Sequence, residues 1–488
     1  GLEVSEKPNL LWIMTDQQRT DSIRAYGNPF VKTPNLDRLA GGGVRFNQCY
    51  IATSPCSPSR ACLLTGLYAH TNGVVVNNIV LPEGVPSLGN TLKAEGYRTA
   101  WVGKWHLGPT DSPKHGFTDK WVDHGRSYRD YLERVGLLQA LPGRRGGSAW
   151  PRGVRYGRSP VPEEHFLETF LAREAIAFLE ESGSEPFCLC LSFRAPHPPV
   201  TPPEPWDRMY PPDKVPLPAN HIIYLKDRPT ESGGLGPKVP YTRDGLLKRR
   251  KGQPGSGRLA DKALRQRLDR WTEEEWRDHA AHYYGYVSYV DKWTGKVLEA
   301  LDRQEFTKNT IVLFTTDHGD MLGSHGLMGK GPTYDEAARV PLIMRYPPLI
   351  RPGTATDALV SNVDILPTLL EMMDVKVPSG VQGRSFLSLL EGEGEAGSRR
   401  DAVFMEKDRS GGNSKAVYRM VRTERWKYTV SWHPSVREEL YDMESDPLEL
   451  SNLSGDPGQD QVRRGLRQRI LEWMGETGDP SREEFTRL

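Results

Sequence analysis

The sequence predicts an α/β protein: a mostly parallel sheet sandwiched by helices, followed by a smaller α+β domain built on an antiparallel sheet. Three observations carry this reading. Apolar runs of strand length recur between Asn9 and Met344, several of them ending abruptly on polar residues. Amphipathic helical patterns separate those runs, and beyond about residue 396 the runs shorten and alternate.

Asn9–Thr15 (NLLWIMT) is continuously apolar apart from its ends and breaks at Asp16-Gln17-Gln18. Such a run suits a parallel strand buried on both faces, which delivers an acid to a site at its carboxyl end. The pattern recurs. Tyr97–Gly103 ends in Lys104-Trp105-His106, Phe187–Phe193 in Arg194-Ala195-Pro196-His197, and Thr310–Thr316 in Asp317-His318-Gly319-Asp320. Val340–Met344 also reads as a strand, with no polar residue of that sort behind it.

Helices are expected between the strands. Cys56 opens an apolar run stopped by Gly66, Glu164–Glu181 has helical spacing, and Thr272-Glu273-Glu274-Glu275 is a capping box for a helix reaching about Gln304. Asn362–Leu370 carries its Pro near the start of a further helix. Residues 139–162 and 201–268 are rich in Pro, Gly, Lys and Arg, including Lys248-Arg249-Arg250-Lys251, and are expected as irregular inserts at the substrate mouth. Glu391–Gly397 reads as a linker between a catalytic domain, 1–390, and a C-terminal domain, 396–488. In the latter, Ala402–Met405, Ala416–Arg422 and Trp426–Ser431 alternate as strands, and a helix is expected near 459–475.

Composition narrows the function. With 64 Lys and Arg against 63 Asp and Glu, the net charge of +1 gives no field suited to nucleic acid or an anionic membrane, so any anion site is local. No apolar run approaches the roughly 20 residues that cross a bilayer. Residues 1–10 lack a signal-peptide pattern, and the five cysteines form neither a disulfide framework nor a paired zinc motif. This predicts a cytoplasmic protein, or a periplasmic or secreted one if a leader has been removed.

The strand ends hold the chemistry. Asp16 and Asp317, with Gln17 and His318 beside them, offer oxygen and nitrogen donors to a divalent cation. Cys56, with Pro58 and Arg60 at a helix start, lies where free backbone N–H groups favour negative charge. The stretch C-x-P-S-R-x-x-x-L-T-G, from Cys56 through Leu64, Thr65 and Gly66, resembles the signature of the sulfatase family. So do Gly103-Lys104-Trp105-His106-Leu107-Gly108, Ala195-Pro196-His197-Pro198-Pro199, Asp317-His318-Gly319-Asp320, Gly329-Lys330-Gly331, Arg339-Val340-Pro341 and Leu440–Glu449, in the family's order over nearly the whole chain.

The resemblance implies an alkaline-phosphatase-like fold and a Cys56 that a dedicated maturing enzyme oxidises to formylglycine. A thiol attacking a sulfate ester would leave a stable thiosulfate, whereas the aldehyde hydrate can expel sulfate by re-forming its carbonyl. By the same resemblance Asp16, Gln17, the modified Cys56, Asp317 and His318 hold a cation, most often Ca²⁺. Arg60 fixes the hydrate, Lys104 and Lys330 bind sulfate oxygens, His106 removes the second hydroxyl proton, and His197 serves the leaving oxygen. Many sulfatases carry Asp-Asp and Asp-Asn where this chain has Asp16-Gln17 and Asp317-His318. The softer nitrogen donor admits Mn²⁺ or another transition ion, and the variant resembles a branch that includes phosphonate monoester and phosphodiester hydrolases.

Sulfuric ester hydrolysis is the first reading; phosphonate or phosphodiester hydrolysis on the same scaffold is the second, disfavoured by Lys104 and His106. A catalytically silent anion binder is the third, and a constellation with no member missing gives it no support. The basic segments near 242–268 and 144–158 point to a sulfated carbohydrate as substrate.

Overall fold

A computed structural model describes residues 7–141, 156–221, 271–392, 400–408, 417–433 and 436–488. Eight strands form the main sheet: β1 (Asn9–Asp16), β2 (Val44–Tyr50), β3 (Arg98–Gly103), β4 (Lys120–Asp123), β5 (Phe187–Pro196), β6 (Thr310–Thr316), β7 (Arg339–Arg345) and β8 (Thr354–Ser361). Their order is β4-β3-β5-β1-β6-β7-β2-β8. All adjacent pairs are parallel except β6·β7 and β7·β2, so β7 alone among the described strands runs against the rest. This explains why Val340–Met344 has no polar site residue behind it: its carboxyl end lies at the opposite edge.

The central strands are buried on both faces, and their period of two divides the core. Leu11, Ile13, Leu189, Leu191, Val312 and Phe314 pack beneath the helices Leu167–Glu180 and Glu273–Arg303. Leu10, Trp12, Met14, Cys188, Cys190 and Leu313 face the helices Cys56–Thr65 and Ile365–Met372. Each fully buried Leu or Ile contributes about 1.5–3 kcal/mol relative to exposure. The long helix begins as expected, with Thr272 and Glu275 closing a capping box, and ends at Gln304. All five cysteines are buried free thiols.

The second sheet is antiparallel, ordered β12-β11-β10-β9, from β9 (Ala402–Lys407), β10 (Tyr418–Thr423), β11 (Trp426–Ser431) and β12 (Arg437–Asp442). β12 was not expected: Arg437-Glu438-Glu439 reads as charged surface, and only its end, Leu440–Asp442, is buried. The helix Asp460–Thr477 covers one face of this sheet. Most of the expected linker, 393–397, and most of the two inserts, 142–155 and 222–268, lie outside the described residues. No helix among the described residues is long and apolar enough to cross a membrane.

A histidine clasp joins the short helix Ala69–Asn72 to the second sheet and the helix that covers it. His70 Nδ1 lies 2.7 Å from Glu406 Oε2 on β9, and Nε2 lies 3.1 Å from the carbonyl of Thr477 at the end of its helix. Both ring nitrogens face acceptors, so the imidazolium is the form that satisfies the site. Burial opposes the charge, but the Glu406 hydrogen bond and charge outweigh it and raise the His70 pKa above 6.5. A raised folded pKa means stability that is fully present below about pH 6.5 and lost as pH rises through the folded value. The thermal midpoint is therefore expected to fall over that interval, and His70→Asn to flatten the fall. An unchanged slope in the variant would remove the clasp from the account.

Candidate active site

The carboxyl ends of the parallel strands meet along one edge. Thr15 pairs with Thr316, so the next residues, Asp16 and Asp317, emerge side by side. The helix Cys56–Thr65 points its first turn at them, with Cys56 and Arg60 one turn apart, and Gly66 closes it at φ 64°. At the end of β3, Gly103 has φ 118°, and a Cβ there would stand 1.9 Å from the Ser192 carbonyl oxygen, so only glycine lets the chain turn and present Lys104. Trp105, buried edge-on against Trp101 at 4.8 Å, pins the turn between Lys104 and His106.

Arg60 is wholly buried behind the carboxylates. Its Nε donates to Asp317 Oδ2 at 2.9 Å and its Nη2 to Asp16 Oδ2 at 3.2 Å, while Nη1 donates to the Lys104 carbonyl at 2.8 Å and Ser192 Oγ at 2.9 Å. In this structure the guanidinium therefore orients the two acids and the Lys104 turn. Lys104 Nζ is ion-paired with Asp16 Oδ2. Burial and the thiol charge push Asp16 up, but Lys104, His197 and Arg60 prevail and hold it far below the carboxylate range. Asp317 goes the other way, raised by burial and by Asp16.

Cys56 Sγ sits 3.1 Å from His318 Nε2 and 4.0 Å from Asp16 Oδ1. Burial opposes ionisation, yet Lys104, Lys330 and His318 hold the thiol well below its ordinary value. The position is built to carry negative charge.

The donor set fits a divalent cation. Ligand atoms of Asp16, Cys56, Asp317 and His318 all lie within 4.8 Å of one another, and all four residues are buried. His318 Nδ1 lies 2.9 Å from the Gly319 carbonyl and donates to it, so Nε2 is the nitrogen that offers a lone pair to the cluster when the ring is neutral. Burial opposes its charge, but Asp317 and Cys56 raise its pKa, and a cation would take the place of that proton. Asp16 Oδ1 and Asp317 Oδ1 stand 3.8 and 3.5 Å from that nitrogen. An oxygen in place of the Cys56 sulfur would make the set three oxygens and one imidazole nitrogen, which suits Ca²⁺ less exclusively than an all-oxygen set.

Lys330 Nζ lies 2.7 Å from Gln17 Oε1 and 3.1 Å from His197 Nε2. His197 Nδ1, 2.7 Å from the Pro198 carbonyl, is the protonated nitrogen, so Nε2 accepts from Lys330. Burial and then Lys330 push its pKa down to about 3, and the ring rests neutral. His106 adopts φ 62°; Nε2 lies 3.3 Å from Asn78 Oδ1, and Nδ1 is buried with no hydrogen-bond partner. Ser57 Oγ ties the His106 carbonyl to the Cys56 helix at 2.6 Å.

A family model described as Sulfatase matches residues 8–375. The chain belongs to the sulfatase family. A second model, N-sulphoglucosamine sulphohydrolase, C-terminal, matches residues 323–476 of this sulfatase. An N-acetylglucosamine-6-O-sulfatase of Bacteroides thetaiotaomicron is 29% identical over 517 residues, covering 99% of this chain and 89% of the relative. Among solved structures, a protein in complex with its substrate D-glucosamine-2-N,6-O-disulfate superposes with a TM-score of 0.74 at 26% identity, covering 98% of this chain and 99% of that one. A phosphonate monoester hydrolase of Agrobacterium radiobacter reaches 0.75 at 27% identity, covering 96% of each. The homologues thus include both sulfatases and phosphonate monoester hydrolases.

The structure brings together the expected Asp16, Gln17, Cys56, Arg60, Lys104, His197, Asp317, His318 and Lys330, with His106 beside them. It adds residues that no local motif marks. Ser192 holds Arg60, and Asn78, at φ 71°, holds His106. His124, directly behind β4, has an Nδ1 that is buried without a partner, and its pKa is pushed down to about 3 by burial, Lys104 and Arg194. β4 spans only Lys120–Asp123, too short for its alternation to be read; its register, Gly103 against Asp123, was the missing information.

Proposed function

We propose that this sulfatase hydrolyses a sulfate monoester of a carbohydrate through the hydrated formylglycine formed from Cys56. The observation that carries the reading is the convergence of Lys104, Lys330 and the Asp16–Asp317–His318 cluster on a buried Cys56 inside the C-x-P-S-R motif. The hydrate supplies an attacking oxygen and a second hydroxyl whose deprotonation releases sulfate. A bound cation supplies charge that favours the ionised attacking oxygen, and Asp16, Gln17, Asp317 and His318 are the residues that would hold it.

Around that centre the chain's own groups have distinct tasks. Lys104 and Lys330 offer fixed positive charge to the sulfuryl oxygens and hold the group in place while negative charge grows on the leaving oxygen. Lys330 and His197 stand together as the proton-carrying pair for the leaving oxygen, and the neutral His197 keeps the ammonium directed. The unpartnered Nδ1 of His106 suits the removal of a hydroxyl proton. Arg60 keeps both acids and the Lys104 turn in place.

The carbohydrate assignment draws on relatives whose names specify an N-acetylglucosamine 6-O-sulfate and a glucosamine disulfate. Phosphonate monoester hydrolysis is kept as the second reading because of the phosphonate monoester hydrolase likeness and the Gln17 and His318 pair. Matured enzyme assayed at one cation concentration on sulfated hexosamines, an aryl sulfate and a phosphonate monoester is expected to turn over a sulfated hexosamine with the highest kcat/KM. A phosphonate monoester exceeding every sulfate by about 100-fold, or about 2.7 kcal/mol in transition-state binding, would reverse the assignment.

A further inference from the structure

We infer that Asp320 is a positioning residue that turns the side-chain amide of Gln17 so that its oxygen, and not its nitrogen, faces the cation cluster. The inference rests on the reading of Gln17 as a cation ligand. The oxygen and nitrogen of an amide are nearly the same size, so the partners decide which way it points. Here both partners are unambiguous. Gln17 Nε2 is hydrogen-bonded to Asp320 Oδ2, and a carboxylate oxygen can only accept. Gln17 Oε1 lies 2.7 Å from Lys330 Nζ, and an ammonium can only donate. The amide is therefore held from both ends, with its oxygen on Lys330, whose charge also acts on Cys56 of the cluster.

Asp320 is itself built in. Its Oδ1 accepts from the Leu322 N–H at 2.7 Å, and Arg19 Nη1 donates to the carbonyls of Asp320 and Met321, each at 3.0 Å. The Met321 N–H reaches the Gly329 carbonyl at 2.7 Å, which ties this turn to the one bearing Lys330. Gln17 stands at φ 67°, a conformation uncommon for a residue with a side chain, and its backbone is fixed by Asp317 Oδ1 at 3.1 Å and Tyr283 Oη at 2.8 Å. With the backbone fixed, the remaining freedom of consequence is the amide flip, which Asp320 removes.

The chemistry explains why such a device belongs with glutamine. A carboxylate at position 17 would present an oxygen in either orientation and need no orienting partner. A glutamine presents either a lone pair or two N–H groups, and the second choice would aim donors at both a cation and the Lys330 ammonium.

Calorimetric titration of Ca²⁺ and of Mn²⁺ into the metal-free full-length chain tests this, with thermal unfolding of each metal-free variant as the control for folding. Gln17→Ala is expected to weaken the tighter-binding cation at least fivefold. Asp320→Asn is expected to do the same, because the amide it introduces turns its N–H groups to position 17 and flips the glutamine. The double variant Q17E/D320N is expected to bind within fivefold of wild type or more tightly, since the new carboxylate accepts from that amide and still offers an oxygen inward. A loss below fivefold in Q17A would overturn the reading of Gln17 as a ligand. Weakening in Q17A with a loss below fivefold in D320N would overturn the positioning role alone. Should D320N fail to fold, the double variant decides: affinity more than fivefold below wild type contradicts the proposal.

Discussion

Replacing Cys56 by alanine is expected to lower sulfate release by at least about 10⁴-fold while the protein stays folded, because in the proposed mechanism this residue supplies the nucleophile and the groups around it are left with nothing to act on. Cys56 is 1% exposed and lies in the first turn of a helix capped by Gly66, so removing its sulfur leaves a void of about one methylene and costs on the order of 1 kcal/mol. The expected result is thus a split: activity is lost, and the unfolding free energy barely moves. Activity within tenfold of wild type would mean that the reaction does not pass through position 56.

Arg60→Ala is expected to show the opposite emphasis. The guanidinium contacts Asp317 Oδ2, Asp16 Oδ2, the Lys104 carbonyl and Ser192 Oγ, all without access to water. Its loss leaves Asp16 with Lys104 and His318, and Asp317 with His318 alone, and breaking a buried pair from one side costs about 3–5 kcal/mol. Urea unfolding of the metal-free variant should show a loss of that size. Millimolar divalent cation should recover part of it, because an ion in the cluster restores positive charge to the two acids. Arg60→Lys should fall between, having the charge without the planar fork. A metal-free loss below about 1 kcal/mol would show that Arg60 does not hold the acids together.

Much of this arrangement is legible in the sequence, for identifiable reasons. β1, β5 and β6 are buried on both faces, so they read as unbroken apolar runs, and their polar ends mark where they stop. The Thr272 capping box and Gly66 stop are local chemistry written in a few adjacent residues. What stayed hidden depends on register or on contacts between distant segments. β7 could be recognised as a strand, but its reversed direction is fixed by its pairing with β6 and β2. β12 exposes its first half, and β4 has too few residues for a period to emerge. Asp320 stands in plain view in Asp317-His318-Gly319-Asp320, yet its task follows only from meeting Gln17, 303 residues away in sequence. Arg60 is expected from the motif to fix the modified Cys56, but its hydrogen bonds go to Asp16, Asp317, the Lys104 carbonyl and Ser192, partners that no local pattern announces.

In the proposed mechanism Cys56 is a precursor, and its conversion comes before any turnover. The most direct measurement is peptide mass spectrometry across Cys56 on enzyme made with and without a formylglycine-generating enzyme, paired with sulfate release by the same samples. The predicted result is an aldehyde at position 56 whose fraction tracks specific activity, with free thiol and negligible turnover when the maturing enzyme is absent. Full activity in protein that retains the free Cys56 thiol would contradict it.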